Sequence, residues 1–196
     1  ATMFLNDLIN SGCTFETESY PNPEQAMRMA FVTMSSNAGL PYYEAAFADA
    51  GNEDVWGFIG APGPDGKLAV DAFQQMLAVV NTTPEKAKAA WIFLKWLTSP
   101  AKQAEWISKY SGYLPTQVSA MELLADYAAA NPIWAQGAAL AALGPAEPQT
   151  FPAWSPTRRL VGDYAAQLIY AVAEEEVRTI LQNMTDEANA LVEEVQ

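Results

Sequence analysis

The sequence predicts a mixed α/β or α+β protein that becomes helix-rich toward its second half. Three observations carry this. Apolar runs with the look of strands, "AFVTMSS" (30–36), "DVWGFI" (54–59) and "LAVDAFQQMLAVVN" (68–81), fall in the first 81 residues. Beyond them come stretches with helical caps and helical apolar spacing. The 196 residues, 51% hydrophobic and 17% charged, suffice for a folded core in one domain or two small ones.

In chain order, "ATMFLNDLIN" reads as a helix with Met3, Phe4, Leu8 and Ile9 on one face and Gly12 as its C-cap. The single Cys13 forms no internal disulfide and reads as a small buried side chain. Asn22 is expected to cap a short helix that has Pro23 in its first turn. Strands are expected over 30–36, Val55 to Ile59 and 68–81. Thr82 and Glu85 have capping-box spacing before "PEKAKAAWIFLKWL", whose Ala87, Ala90, Trp91, Leu94 and Leu97 share a face that predicts packing. Ser99 and Pro100 open a further helix that stops at "SGYLP". Ser119 and Glu122 repeat the capping-box spacing. Residues 137–156, poor in charge and rich in Ala, Pro and Gly, read as a connector. Ser155 and Pro156 launch a long helix to about Leu181, with a short last helix after Thr185.

Several function classes are excluded at this level. Twenty-three acidic against 10 basic side chains give a net charge of −13, which disfavours nucleic acid and anionic membranes as partners. The absence of histidine removes the usual general base and metal ligand. No metal site, cofactor or catalytic residue is expected. "GAPGPDGK" (60–67) imitates a phosphate-binding loop, but Ala61 stands where that loop needs glycine and Leu68 where it needs a hydroxyl. Pro62 and Pro64 also delete backbone donors. It is a turn.

Four features invite a binding reading. Asp71 is a carboxylate in an apolar run. Tyr113 and Trp154 are aromatics in Pro-flanked loops, where rings stack on sugars or cover a core edge. Arg158 and Arg159 open a helix against its dipole, which calls for an anion, a polar ligand or an acidic neighbour. The triplet Glu174, Glu175 and Glu176 reads as a solvated helix face rather than a catalytic pair.

Through "AAWIFLKWLTSPAKQAEWISKYSGYLPTQVSAM" above all, the chain closely resembles, over essentially all 196 residues, the family 1 extracellular solute-binding proteins of ABC importers, the group of maltose-type and glycerol-phosphate-type binders. "RMAFVTMSSNAGLP" and "GFIGAPGPDGK" before that block and "FPAWSPTRRLVGDYAAQL" and "NMTDEANALVEEVQ" after it fall in the family's order. The resemblance implies a periplasmic-binding-protein-like two-lobe fold (type II), represented by its C-terminal half and therefore incomplete. Residues 1–73 would belong to the C-terminal lobe, 74–130 would cross to the N-terminal lobe, and 131–196 would hold a connector and the returning helices.

The same resemblance implies a non-enzymatic role: a small-molecule solute, a carbohydrate or polyol, held in the inter-lobe cleft and passed to the membrane subunits of an ABC transporter. The expected location is periplasmic or extracellular, with a lipid anchor and the other half of the protein supplied by the missing N-terminal part. By likeness, Ser35 and Ser36 match the family's paired serines, Tyr113 the tyrosine of "GYLP" and Arg159 a cleft residue. Phe73 and Gln74 stand where many members have two glycines, and larger side chains there fill part of the cleft. A glycerol-phosphate-type ligand is the alternative to a sugar. Rivals of another class are a carbohydrate-active enzyme and a structural interaction domain.

Overall fold

In a computed structural model of the chain, the described residues are 2–63, 66–72, 76–145, 147 and 150–195. Among them the protein is helix-rich with little sheet. The helices are α1 (Thr2–Asn10), α2 (Asn22–Ala26), α3 (Leu40–Asp49), α4 (Pro84–Leu97), α5 (Pro100–Tyr110), α6 (Val118–Leu123), α7 (Ala125–Ala130), α8 (Pro132–Ala141), α9 (Trp154–Tyr170) and α10 (Glu174–Glu193). The chain divides into a continuous unit, Ser19–Ala146, and a discontinuous unit made of Ala1–Glu18 and Glu147–Gln196.

The continuous unit is built on two connected clusters. Leu40, Ala104, Ile107, Leu124 and Trp134 are buried together, with Trp56, Phe58, Leu114 and Tyr127 packed around them. Ala26, Tyr43 and Phe47 form the second cluster, and Trp56 touches both. Its ring lies 5.3 Å from that of Tyr43 and 5.5 Å from that of Phe47, tilted in the manner aromatic quadrupoles favour. Trp134 is the largest fully buried side chain of the described residues. The expectation of a connector from 137 stands corrected here, since α8 runs through Ala141. Pro132 opens this helix at a position that needs no N–H, and its Ala-rich sequence favours helix although it carries little charge.

The expected strands are largely not formed. Residues 30–36 and Val55 to Ile59 are not strands, and among the described residues of 68–81 the strand is Leu68–Ala69, with an isolated bridge at Ala72. That strand, β2, pairs antiparallel with β1 (Ala61–Pro62), Ala61 facing Ala69 and Pro62 facing Leu68. "GAPGPDGK" is thus a hairpin turn, closed by the Gly63 N–H donating to the Lys67 carbonyl at 2.7 Å. Gly66 has a φ of +71°, a conformation that favours glycine. The run from Val55 to Ile59, continuously apolar in sequence, is nonetheless half-buried on alternate residues. Trp56 and Phe58 turn inward while Val55 and Ile59 are exposed. A strand, however, is defined by its neighbour, and apolar alternation supplies none.

The discontinuous unit packs α9 against α10, with Leu168, Ala171 and Val177 buried and Ile180 and Leu181 beside them. The expected long helix to Leu181 is broken at 171–173, where Ala171 and Ala173 take extended backbone. The last helix is accordingly longer than expected, starting at Glu174 instead of after Thr185. Glu174, Glu175 and Glu176 occupy its first turn, where the dipole favours anions. Glu176 reaches back to accept from the N–H of Val172, the residue before the N-cap Ala173, at 3.0 Å. Tyr164 donates from its hydroxyl to Glu187 at 2.6 Å across the two helices, which raises the tyrosine pKa.

In α1 the buried residue is Asn6, while Met3 and Phe4 of the expected apolar face are exposed. The Asn6 amide donates to the carbonyls of Leu168, at 3.0 Å, and Ala171, at 2.6 Å, and its own oxygen accepts from Asn10. The polar end of α9 needs such a donor because its last carbonyls have no helical partner. Gly12 ends α1 as expected: its φ is +74°, its N–H donates to Ile9 and that of Cys13 to Leu8, a Schellman arrangement. Cys13 itself is exposed, contrary to expectation, because it leaves the helix on the solvent side of that cap.

Other local expectations shift by a residue or two. Asn22 is already helical and Pro21 holds the N-cap position of α2. Thr83, not Thr82, caps α4, accepting from the Lys86 N–H at 3.4 Å. Ser119 lies inside α6, with Gln117 before it as the N-cap. Trp91, expected to pack, is 59% exposed.

Candidate functional site

The continuous unit brings the serine segment and the "GYLP" segment into contact. After Ser36, residues Asn37–Gly39 make one 3-10 turn, closed by the Gly39 N–H donating to the Ser36 carbonyl at 2.9 Å, and lead directly into α3. Ser35 is exposed and Ser36 half-buried. The Ser35 hydroxyl lies against Gly39, where a Cβ would come within 2.9 Å of it and 3.4 Å of the Tyr43 ring. Only glycine leaves that space open. Behind it runs a polar line: Thr33 donates to the Gln25 side-chain oxygen at 2.7 Å, and so the Tyr43 hydroxyl, 2.8 Å away, donates to Thr33.

The "GYLP" loop follows directly on the end of α5. The Asn37 side-chain amide donates to the Gly112 carbonyl at 3.0 Å. Gly112 is buried, and a Cβ on it would sit 2.4 Å from the Asn37 carbonyl oxygen. The Tyr113 N–H donates to the Ser111 hydroxyl at 2.9 Å, and its carbonyl accepts from the Trp134 indole at 3.3 Å. Its side chain is 40% exposed. The loop is therefore fixed on three sides with a ring left in contact with solvent. Asn37, Gly112 and Trp134 were not singled out by sequence reasoning. The "SSN" run before "AGLP" was the available signal for Asn37, since Asn so placed bonds to backbone.

The remaining expected site residues lie elsewhere. Asp71 is exposed, two residues past the end of β2. Phe73 and Gln74 lie outside the described residues. Trp154 and Arg159 belong to the discontinuous unit, where Trp154 is the first residue of α9 instead of a loop residue. It is half-buried, and its indole N–H and the Thr157 hydroxyl are buried without a hydrogen-bond partner among the described residues. Arg158 has the acidic neighbour that its position called for: its Nε stands 3.2 Å from Glu147, whose side chain is only 8% exposed. Arg159 is exposed. The described residues contain no cluster of three or more metal-ligating His, Cys, Asp or Glu, and no helix long and apolar enough to cross a membrane.

Asn37, which follows the two serines, thus meets Gly112, which precedes the half-exposed Tyr113 ring. Residues 25–142, more than half of the chain and all within the continuous unit, match the family of bacterial extracellular solute-binding proteins, and the chain belongs to that family. Its role is accordingly solute binding for an ABC importer, on the outer side of the membrane. No curated protein and no solved structure matches the chain.

Proposed function

We propose that the chain binds a neutral sugar or other polyol as the substrate-binding component of its importer, without transforming it. The observation that carries this reading is the contact of Asn37, the residue after Ser36, with Gly112, the residue before Tyr113. Hydroxyl donors and acceptors beside an aromatic face are the groups that recognise a pyranose, whose edges are polar and whose faces are apolar. The fixed backbone and partly exposed ring of Tyr113 support this reading. Asp71 is an exposed acceptor in the same unit, and the resemblance alone adds Phe73 and Gln74 to the proposed site.

The family's two-lobe arrangement is part of the proposal, with residues 1–73 in one lobe, 74–130 crossing to the other, 131–196 returning, and closure around solute signalling to the transporter. A second reading, a glycerol-phosphate-type ligand, is favoured by one observation. Arg159 is exposed in the second turn of α9, not at its very start as expected, and has no ion pair among the described residues. Titration calorimetry with maltotriose and with glycerol 3-phosphate, each at low and high salt, separates the two. A sugar should bind with little salt dependence, and Tyr113→Ala should weaken it by about 1–3 kcal/mol. Tight, salt-sensitive binding of the phosphate, lost in Arg159→Ala, would replace the sugar reading. Hydrolysis of the sugar on incubation would replace both with an enzyme.

A further inference from the structure

We propose that Asn37 is a positioning residue that joins the serine turn and the "GYLP" loop into one solute-binding element. The inference rests on the reading that Ser35, Ser36 and Tyr113 face the solute. Asn37 follows Ser36 directly and opens the 3-10 turn, so any displacement of its side chain moves the serine backbone. Its amide donates to the Gly112 carbonyl, one residue before Tyr113. The two backbones meet so closely that Gly112 has no room for a Cβ, which would stand 2.4 Å from the Asn37 carbonyl oxygen.

A second contact locks the same residue from the α8 side. A Cβ on Gly137 would lie 3.3 Å from the Asn37 Cβ and 3.2 Å from the Phe58 ring, so the Asn37 side chain has little freedom to turn away. Tyr113 is meanwhile tethered to α8 through the Trp134 indole. The serine turn, the tyrosine loop and α8 thus share one junction, and its only side-chain donor to Gly112 among the described residues is Asn37. The bond spans 75 residues of sequence. Nothing local would hold Ser36 and Tyr113 in register without it.

The test is hydrogen exchange on the full 196-residue chain and its Asn37→Asp and Gly112→Ala variants. Asn37→Asp keeps the shape of the side chain and removes the donor. Gly112→Ala keeps the donor and drives the backbones apart. Each should speed exchange in peptides covering 34–39 and 111–116 together, by roughly threefold to tenfold for one lost hydrogen bond, with α5 unchanged. Acceleration spread evenly over α3, α5 and α8 would mean that Asn37 serves only stability, and unchanged exchange at 111–116 would also overturn the proposal. Maltotriose titration supplies the second readout. Asn37→Asp should weaken binding in the wild-type background and have little further effect in Tyr113→Ala, whereas additive losses would show that Asn37 does not act through Tyr113. A wild type that binds neither maltotriose nor glycerol 3-phosphate overturns the solute reading of the site, while the exchange data still decide whether Asn37 couples the two loops.

Discussion

Helices α4 and α5 are consecutive in sequence, begin with the same Ser/Thr-Pro signal and are separated by a two-residue break, yet they differ in what they bury. Helix α5 places Ala104 and Ile107 in the core, the latter 2% exposed. Helix α4 buries nothing, and Ile92, Phe93 and Trp96 are exposed along with Trp91. Its predicted face is nonetheless turned the right way, since Ala87, Ala90, Leu94 and Leu97 are half-buried. The difference teaches that caps and propensity decide whether a helix exists, whereas burial needs a partner surface of matching size. The exposed rings of α4 settle for one another and for a neighbour's cation: Phe93 and Trp96 stand 5.8 Å apart, and the Lys102 ammonium lies 5.4 Å from the Trp96 ring.

The largest expected effect falls on α5. Ile107→Ala removes a fully buried side chain from the main cluster and should lower stability by about 2–4 kcal/mol in urea unfolding. A loss under about 1 kcal/mol would show that this core collapses around the gap. Next comes the cap of α4: Thr83→Ala should lower stability by about 0.5–1 kcal/mol, at the low end because its hydrogen bond is long at 3.4 Å. Trp91→Gln comes third. With its ring mostly in solvent, it should change unfolding free energy by no more than about 0.5 kcal/mol while reducing self-association seen by sedimentation. A large loss of stability would mean that something covers α4 in solution.

The smallest effect concerns charge on α5. Hydrogen bonds from Lys102 and Lys109, reinforced by their charges, hold the Glu105 carboxyl down to about 2. Because its folded value lies below the roughly 4.3 of a free glutamate, its contribution is present above that pH and lost as pH falls toward 2. A carbon-detected NMR titration should find its midpoint near the lower value. A midpoint at the free value would show that the two lysines do not hold it, as exposed ion pairs often do not.

How much of this was legible follows the range of the interactions. The boundaries of α5 could be read because Ser99, Pro100 and the "SG" stop act within one turn. The strands could not, because Val55 to Ile59 is an apolar run of strand length but pairing is decided by distant chain. Asn6 illustrates the same limit: in sequence it is the polar residue of an apolar helix, and only the carbonyls of Leu168 and Ala171 make it the buried one. At the candidate site, Tyr113 was singled out by its Pro-flanked loop and by the resemblance, and Ser35 and Ser36 by the resemblance alone. Asn37 was not, since its partner lies 75 residues away. Trp134 escaped notice because its surroundings, "IWAQGAALAAL", have the low charge of a linker and the alanine content of a helix, and the second property prevailed.

The Asn6 contacts also bear on the order in which the chain can be assembled. They span 162 and 165 residues, and they tie α1 to the far end of α9. A ribosome therefore releases α1 long before its partner is synthesised, while every residue of the continuous unit emerges in between. The continuous unit can reach its native contacts during translation. Helix α1 must wait for these contacts until the end of α9 has been made. Vectorial synthesis should thus yield two folding events separated in time, the second beginning only after Ala171 leaves the exit tunnel.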